Sequence, residues 1–444
     1  MAATAIGAIL GWPSCLPMAE PYPREGLLLE EARRQVLAAL PQALATPDAE
    51  GVDAELLPLV ACGGRVCAAP VLASEAVPGF RASIMDGYAL ADTVLPEPGQ
   101  RWSLVGRSAP GAPYGGRLQA GEAIRILTGA PLPPGATRVL PQELVQRLES
   151  GSGLASSPQL ALSSEVGDNP WIRAADEETA AGAVLAAAGT RLGAAELGRL
   201  AACGVAQLSV RRRPRVGLLI TGDELVPAGA ARGPGQIWES NGTLLAALLE
   251  RLGYPLAEQR VVADDPVALR QALLDLAASC DVVVSTGGVS AGDTDWIRPL
   301  LAELGNVAFW KLFLKPGRPF AFGQLQGVPF FGLPGNPVAA AITALQLLWP
   351  ALQQLEGAPV QVLPRLQVQL AADLRRGAGR PELARARLAV DAEGRLLAHC
   401  DGSQASSRIG SLAGADLLLE IPAELGALPA GTPLWAQLMR LPIF

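Results

Sequence analysis

Apolar positions along this chain follow more than one rhythm, and the changes of rhythm divide it. Residues 26–40, GLLLEEARRQVLAAL, carry apolar side chains at helical spacing with acidic residues ahead of basic ones, which predicts an amphipathic helix. Residues 71–148 read as short extended runs, ASIMDGYAL, RWSLVGRSA and AIRILTGAP, separated by Gly and Pro turns, and predict a small β domain. A helix is expected over Ala194 to Cys203, followed by an extended stretch ending at RRRPR. From residue 215, RVGLLITGDEL, PLAEQRVVA and CDVVVSTGG read as strands alternating with the helical runs GTLLAALLERLG and DPVALRQALLDLAAS, the pattern of an α/β sheet. It continues through WIRPLLAEL, FWKLFLK, PFAFGQL and VPFFGLPGNP into VAAAITALQLLW, a helix expected to stop at Pro350 and too short to span a bilayer. After 360, RLQVQLAADL, ARARLAVDAEG and LLLEIPAEL predict a C-terminal β domain.

With 444 residues the chain is too long for one ordinary core, and two to four domains are expected, on the rough length prior. The 49 glycines and 38 prolines follow no period and read as frequent turns; mobile segments are expected at 1–24, 96–116 and 150–157. A net charge of −7 argues against a nucleic-acid surface and confines any basic site to a local pocket. Cysteines at 15, 62, 67, 203, 280 and 400 form no C-x-x-C pair or disulfide framework, as expected of a reducing compartment. The start MAATAIGAILGW has no Lys or Arg ahead of its apolar run and makes a poor signal peptide, so a cytoplasmic location and no membrane are expected. A single histidine, His399, removes His-based triads and His-rich zinc sites from consideration and leaves carboxylates, cations and hydroxyls to do chemistry. Only two of the 35 basic residues are lysine, Lys311 and Lys315, and they stand four apart, which suggests a site that wants a compact ammonium.

Ligands of an open α/β sheet collect beyond the carboxyl ends of its strands. There, TGDEL offers Asp223 and Glu224 to magnesium, or caps a helix. In STGGVSAGDTD, Gly287 and Gly288 open the backbone to a phosphate and Asp293 and Asp295 add metal ligands; a tight turn with an Asx cap is the plainer alternative. GLPGNP puts Gly335, Asn336 and Pro337 at a helix start, which receives an anion or is simply a start with proline in its first turn. A strand over FWKLFLK would set Lys311, Phe313 and Lys315 on one face with Arg318 and Pro319 just beyond, either a converging cationic edge or a solvated basic face. Asp264 and Asp265 precede Pro266 and a helix, so capping accounts for one of them. Asp86 and Thr128 adjoin glycine turns, while Arg385, Ser403 and His399 carry no pattern of their own.

Taken together, SIMDGYA, RILTGAP, TGDEL, STGGVSAGDTD, FWKLFLKPGRPFAFG and GLPGNP, in that order, make the chain resemble the MoeA family of molybdopterin molybdenumtransferases over residues 26 to 440. The resemblance implies a multidomain α/β plus β fold. Its parts would be an N-terminal extension (1–25), a discontinuous linker domain (26–70 and 170–212), a β-rich insert (71–169), a three-layer αβα molybdopterin-binding domain (213–358) and a C-terminal β-barrel (359–444). It also implies a homodimer in which Asp86 and Thr128 approach the partner subunit's site. Lys315, Arg318, Pro319, Arg385 and Ser403 match positions for molybdate. Glu224, Asp264 and Asp295 match acidic positions, with Glu224 and Asp295 as magnesium ligands, and Lys311 would contact phosphate or the leaving group. Gly287, Gly288, Ser290, Gly335 and Asn336 would bind substrate. The implied reaction inserts molybdate into adenylylated molybdopterin with magnesium-dependent release of AMP, and a molybdopterin adenylyltransferase is an implied partner. A molybdopterin adenylyltransferase-like enzyme and a non-catalytic scaffold of the same fold are the alternatives. NPWIRAADE, residues 169–177, departs from the family's N-I-R-x-x-G-E-D run around Asp176 and Glu177.

Overall fold

A computed structural model describes residues 26–44, 53–148, 158–289, 295–400 and 402–439. The expected mobile segments 1–24 and 150–157, and the candidates Ser290 and Asp293, lie outside these. The central sheet has six strands, in spatial order Leu256–Val262, Val216–Thr221, Val282–Thr286, Val328–Leu333, Ala321–Leu325 and Gly305–Trp310. The first four run parallel, Ala321–Leu325 runs against them, and Gly305–Trp310, antiparallel to that strand, runs with the first four. Successive strand side chains point to opposite faces. Leu218, Ile220, Val282 and Val284 therefore enter one core with helices Asn241–Arg251 and Pro337–Glu356, while Leu219 and Val283 enter a second with helices Pro266–Ser279 and Ile297–Leu304. Three layers result. The first helix, Leu29–Ala38, buries Ala32 and Val36 in the first of these cores.

Two expectations about this region are corrected. The apolar helix does not stop at Pro350: it runs from Pro337 to Glu356 and is 94% buried over its apolar window. Proline removes the N–H that would bond the carbonyl four residues back. Here that carbonyl, of Gln346, accepts instead from Arg33 Nε at 3.1 Å, and a π turn over Ala344–Leu348 precedes the proline. By length and composition this helix could cross a membrane, but its burial makes it a core helix of the α/β layer. FWKLFLK, in turn, is not one strand. The strand ends at Trp310, and Lys311 adopts φ 75°. The backbone beyond it bonds Leu27, whose N–H donates to the Lys311 carbonyl at 3.2 Å and whose carbonyl accepts from Phe313 at 2.7 Å. Gly26 permits this approach, since a Cβ there would stand 2.8 Å from the Lys311 carbonyl oxygen.

The remaining regions follow from their strand pairings. Ala54–Pro58 pairs antiparallel with Gln207–Arg211, and Val71–Leu72 with Val184–Ala186, beside the helix Ala194–Ala202. A linker unit is thus built from two separated stretches of chain, with the β-rich insert between them. The insert holds a six-stranded sheet, in order Arg138–Pro141, Gly87–Leu90, Glu122–Ile126, Arg101–Ser108, Gln159–Leu162 and Val145–Leu148. Residues 96–116, expected to be mobile, contain the strand Arg101–Ser108, which is paired on both sides and buries Trp102. At the C-terminus, Arg365–Leu370, Leu396–His399, Glu382–Val390, Leu417–Ile421 and Pro433–Leu438 close into a barrel.

The end of the long helix is gripped from the linker. Fully buried Glu356 accepts from Arg191 Nη2 and from the Tyr254 hydroxyl, each at 2.7 Å. Burial pushes the Tyr254 phenol well above its ordinary pKa, so it remains a donor. Removing one partner of a buried pair leaves the other charge without compensation. Glu356→Ala is therefore expected to destabilise the fold by about 3 kcal/mol, measured as a lowered denaturation midpoint, with Glu356→Gln intermediate.

Candidate functional site

The parallel strands Val216–Thr221, Val282–Thr286 and Val328–Leu333 end side by side, and their loops form the floor of a cleft of 890 Å³. Gly287 (φ 87°) and Gly288 (φ 62°) turn the middle loop; a Cβ on Gly287 would stand 2.4 Å from the Thr221 carbonyl oxygen, so only glycine lets these loops touch. Asn241 ties the floor together. Its amide donates to Thr286 Oγ1 at 2.8 Å and to the Gly335 carbonyl at 2.7 Å, while its Oδ1 is buried with no partner among the described residues. A buried acceptor left unsatisfied costs about 1–3 kcal/mol.

The cleft is lined by the acids Glu224 and Asp295 and by the cations Lys315, Arg318 and Arg380. The C-terminal barrel positions Lys315. Lys315 N–H donates to the Pro381 carbonyl at 2.9 Å, Leu383 N–H donates to the Lys315 carbonyl at 2.8 Å, and Lys315 Nζ lies 3.0 Å from Glu382 Oε1. Glu382 is buried and is also held by Arg376 Nε at 3.1 Å. Burial, and then the neighbouring charge of Arg318, push the Arg380 guanidinium below its ordinary pKa. Cations crowded in this way are relieved by an anion.

Of the residues singled out in the sequence, Glu224, Asp295, Gly287, Gly288, Lys315, Arg318, Pro319, Gly335 and Asn336 share the cleft. Lys311 is not among its lining residues, consistent with the early end of its strand. Asp264 sits behind the floor, where it accepts from the Thr221 hydroxyl and its own N–H donates to Asp223 Oδ1 at 3.0 Å. Its neighbour Asp265 is the helix cap, accepting from Ala268 N–H at 2.8 Å. At the opening of the long helix, Pro337 has no N–H and that of Val338 donates to the Ser406 carbonyl at 3.1 Å, so the barrel already occupies part of the expected anion site. Arg385 and Ser403 stand behind the segment that lines the cleft here. Arg385 N–H donates to Gln404 Oε1 at 2.9 Å and its Nη2 to the Ala405 carbonyl at 3.2 Å, while Ser403 Oγ accepts from Ala405 N–H at 3.3 Å. Arg385 borders a separate cavity of 150 Å³ with Arg387 and His399, and burial lowers its pKa. Glu177 pairs with Arg173 at 3.2 Å on the insert side of the chain.

Sequence reasoning missed Asn241, Arg380, Trp238, Ser406 and Ser407, all of which line the cleft. Only Asn241, in the run ESNG ahead of an apolar helix, had a local signal, and that signal reads as capping.

Asp86 and Thr128 contribute to none of this lining but meet each other on the insert. Asp86 Oδ1 accepts from both the backbone N–H and the hydroxyl of Thr128 at 2.8 Å. The backbone bond, followed by the hydroxyl bond, lowers the Asp86 pKa below its ordinary value. Thr128→Val keeps the first bond and removes the second, so the pKa should rise part of the way back, as a carbon-13 NMR titration of the carboxyl will register. Because the folded-state pKa is depressed, any stability this pair confers is present above the ordinary carboxylate range and is lost as pH falls through the folded value.

Comparison with known proteins places this arrangement. Residues 27–204 match the MoeA N-terminal region (domain I and II), residues 217–354 a probable molybdopterin binding domain, and residues 367–437 the MoeA C-terminal region (domain IV). A molybdopterin molybdenumtransferase of Haemophilus influenzae is 32% identical over 406 residues, covering 91% of this chain and 96% of that protein. Molybdopterin molybdenumtransferase 2 of Mycobacterium tuberculosis is 34% identical over 393 residues, covering 85% and 93%. The crystal structure of the molybdopterin biosynthesis MoeA protein from Pyrococcus horikoshii OT3 superposes with a TM-score of 0.76 at 25% identity, covering 93% of this chain and 100% of that one. The domain matches, these relatives and the shared architecture agree, and the chain belongs to the MoeA family.

Proposed function

We propose that the chain is a molybdopterin molybdenumtransferase of molybdenum cofactor biosynthesis, and that it inserts molybdate into adenylylated molybdopterin with release of AMP. The observation that carries this reading is the single cleft lined by Lys315, Arg318 and Arg380 together with Glu224 and Asp295. Two oxyanions need cations there, the molybdate and the phosphate group whose charge grows as a water oxygen bonds to phosphorus, the anhydride P–O bond breaks and AMP leaves. Lys315 supplies a rotatable ammonium held by Glu382, and Arg318 and Arg380 supply planar donors. Gly287 and Gly288 let backbone approach the phosphates.

Magnesium is held in proteins by one or two carboxylates together with substrate phosphates and water. Glu224 and Asp295, both lining the cleft, fit that donor set; a bound magnesium ion would neutralise charge on the phosphate oxygens. No cluster of three or more His, Cys, Asp or Glu suited to a metal occurs among the described residues, which favours a magnesium site completed by substrate over a closed protein cage. Asp264 positions Thr221 from behind the floor, and Arg385 and Ser403 position the barrel segment. Lys311 receives no substrate contact in this reading.

The chain acts as a homodimer, with Asp86 and Thr128 facing the partner's cleft; their exposed, mutually bonded position on the insert supports this. Substrate arrives from a molybdopterin adenylyltransferase. The division of the chain at residues 26, 71, 170, 213 and 359 belongs to the same proposal.

AMP release from adenylylated molybdopterin, followed with magnesium in the presence and absence of molybdate, tests the reaction. Wild type should release AMP only when molybdate is present, and Lys315→Ala and Glu224→Ala should each lower the rate by about 100-fold or more, the scale of one lost electrostatic contact in a transition state. Binding without release under any of these conditions would point to the scaffold.

A further inference from the structure

Cations recognise the anions of such a substrate, but they do not recognise its flat rings. Trp238 is the one aromatic side chain lining the cleft among the described residues. Its backbone is fixed. Ile237–Trp238 pairs with Leu225–Val226, directly after Glu224, and Glu239 N–H donates to the Val226 carbonyl at 2.8 Å. The indole is fixed as well, since Nε1–H donates to the Ala230 carbonyl at 2.8 Å and the Arg232 guanidinium lies 4.0 Å over the ring.

A large side chain anchored at both backbone and tip is usually buried. Trp238 is 48% exposed. It stands, with Glu239, Ser240 and Ile409, on the boundary between the cleft and an adjoining apolar recess of 620 Å³ formed with Ala228, Thr243 and Leu244. The cleft thus adjoins an apolar recess with an aromatic wall; Arg232 lies over one face of that indole, which leaves the opposite face as the one on which a flat heterocycle would stack.

We propose that Trp238 is the stacking platform for a fused nitrogen heterocycle of the substrate, seated in the recess beside the cleft. This rests on the functional reading above. Pterin and adenine share the required chemistry, being flat, aromatic and linked to phosphate, and either would place that phosphate toward Lys315 and Arg318. Exposure of a rigid indole beside the site, which is otherwise unfavourable, is then relieved on binding.

The test uses full-length protein, with AMP and molybdopterin as separate probes. Tryptophan emission of wild type minus that of Trp238→Phe reports the Trp238 indole alone. The difference should be quenched by one probe, and the identity of that probe says which ring is stacked. For the same probe Trp238→Ala should bind about tenfold more weakly, while Trp238→Phe, which keeps an aromatic face, should stay within about threefold of wild type. Probe binding that leaves the difference emission unchanged, with equal affinity in all three proteins, overturns the platform. Quenching without molybdate-dependent AMP release removes the proposed reaction and leaves the platform standing, whereas release without a Trp238 effect does the reverse.

Discussion

The structure depends on one requirement, that the polar side chains of the buried helix Pro337–Glu356 find partners. An apolar helix in a core brings no obligations beyond its ends, but this one carries Gln346, Gln353, Gln354 and Glu356, all buried. Each finds partners in a different part of the chain. Gln346 meets Arg33 of the first helix at 3.0 Å and Gln437 of the barrel at 2.6 Å, and Gln437 passes the chain of bonds on to Glu420 at 2.9 Å. Gln354 caps the end of the first helix through the Leu37 and Leu40 carbonyls, Gln353 holds Gln361 on the way to the barrel, and Glu356 holds the linker through Oε2, its Oε1 having no partner among the described residues. A buried polar group without a partner costs free energy. Meeting the requirement therefore fixes the first helix, the linker and the barrel around the α/β layer together.

The cleft inherits its geometry from that arrangement. Glu224 and Asp295 come from loops of the sheet, whereas Lys315 and Arg318 lie on the segment after Trp310. That segment is aligned by Leu27 on one side and by the barrel strand Glu382–Val390 on the other. Acids and cations thus share one cleft because separate regions of the chain bring them there.

How much of this was legible in the sequence depended on whether the cause was local. TGDEL, STGG and GLPGNP were readable because a strand that ends in glycine has few structural uses, and all three reach the cleft. Three of the five barrel strands and the strand–helix alternation of the α/β region were readable from period, whereas Leu396–His399 and Pro433–Leu438 were not, and the barrel and the three layers were implied only by the family resemblance. The strand over FWKLFLK was misread because its alternation is real while its hydrogen bonds are taken by Leu27, a partner far away in the chain. Pro350 was misread for the same kind of reason: a stop signal holds only if no other donor reaches the freed carbonyl, and Arg33 does. Arg380 and Ser406 could not be found, because their relation to the cleft exists only after the barrel has docked.

The insert is joined to the linker by two antiparallel chains that touch at three levels: Val71–Leu72 with Val184–Ala186, Val77 with Thr179, and Ala82–Ser83 with Ile172–Arg173. Mechanically this is a stalk two chains wide. Extended backbone in register resists stretching, whereas a two-stranded ribbon twists more than a wide sheet does. A group carried at its tip is therefore set at a nearly constant reach but can be re-aimed by small torsions at the base, a division between length and direction that a compact domain junction does not offer.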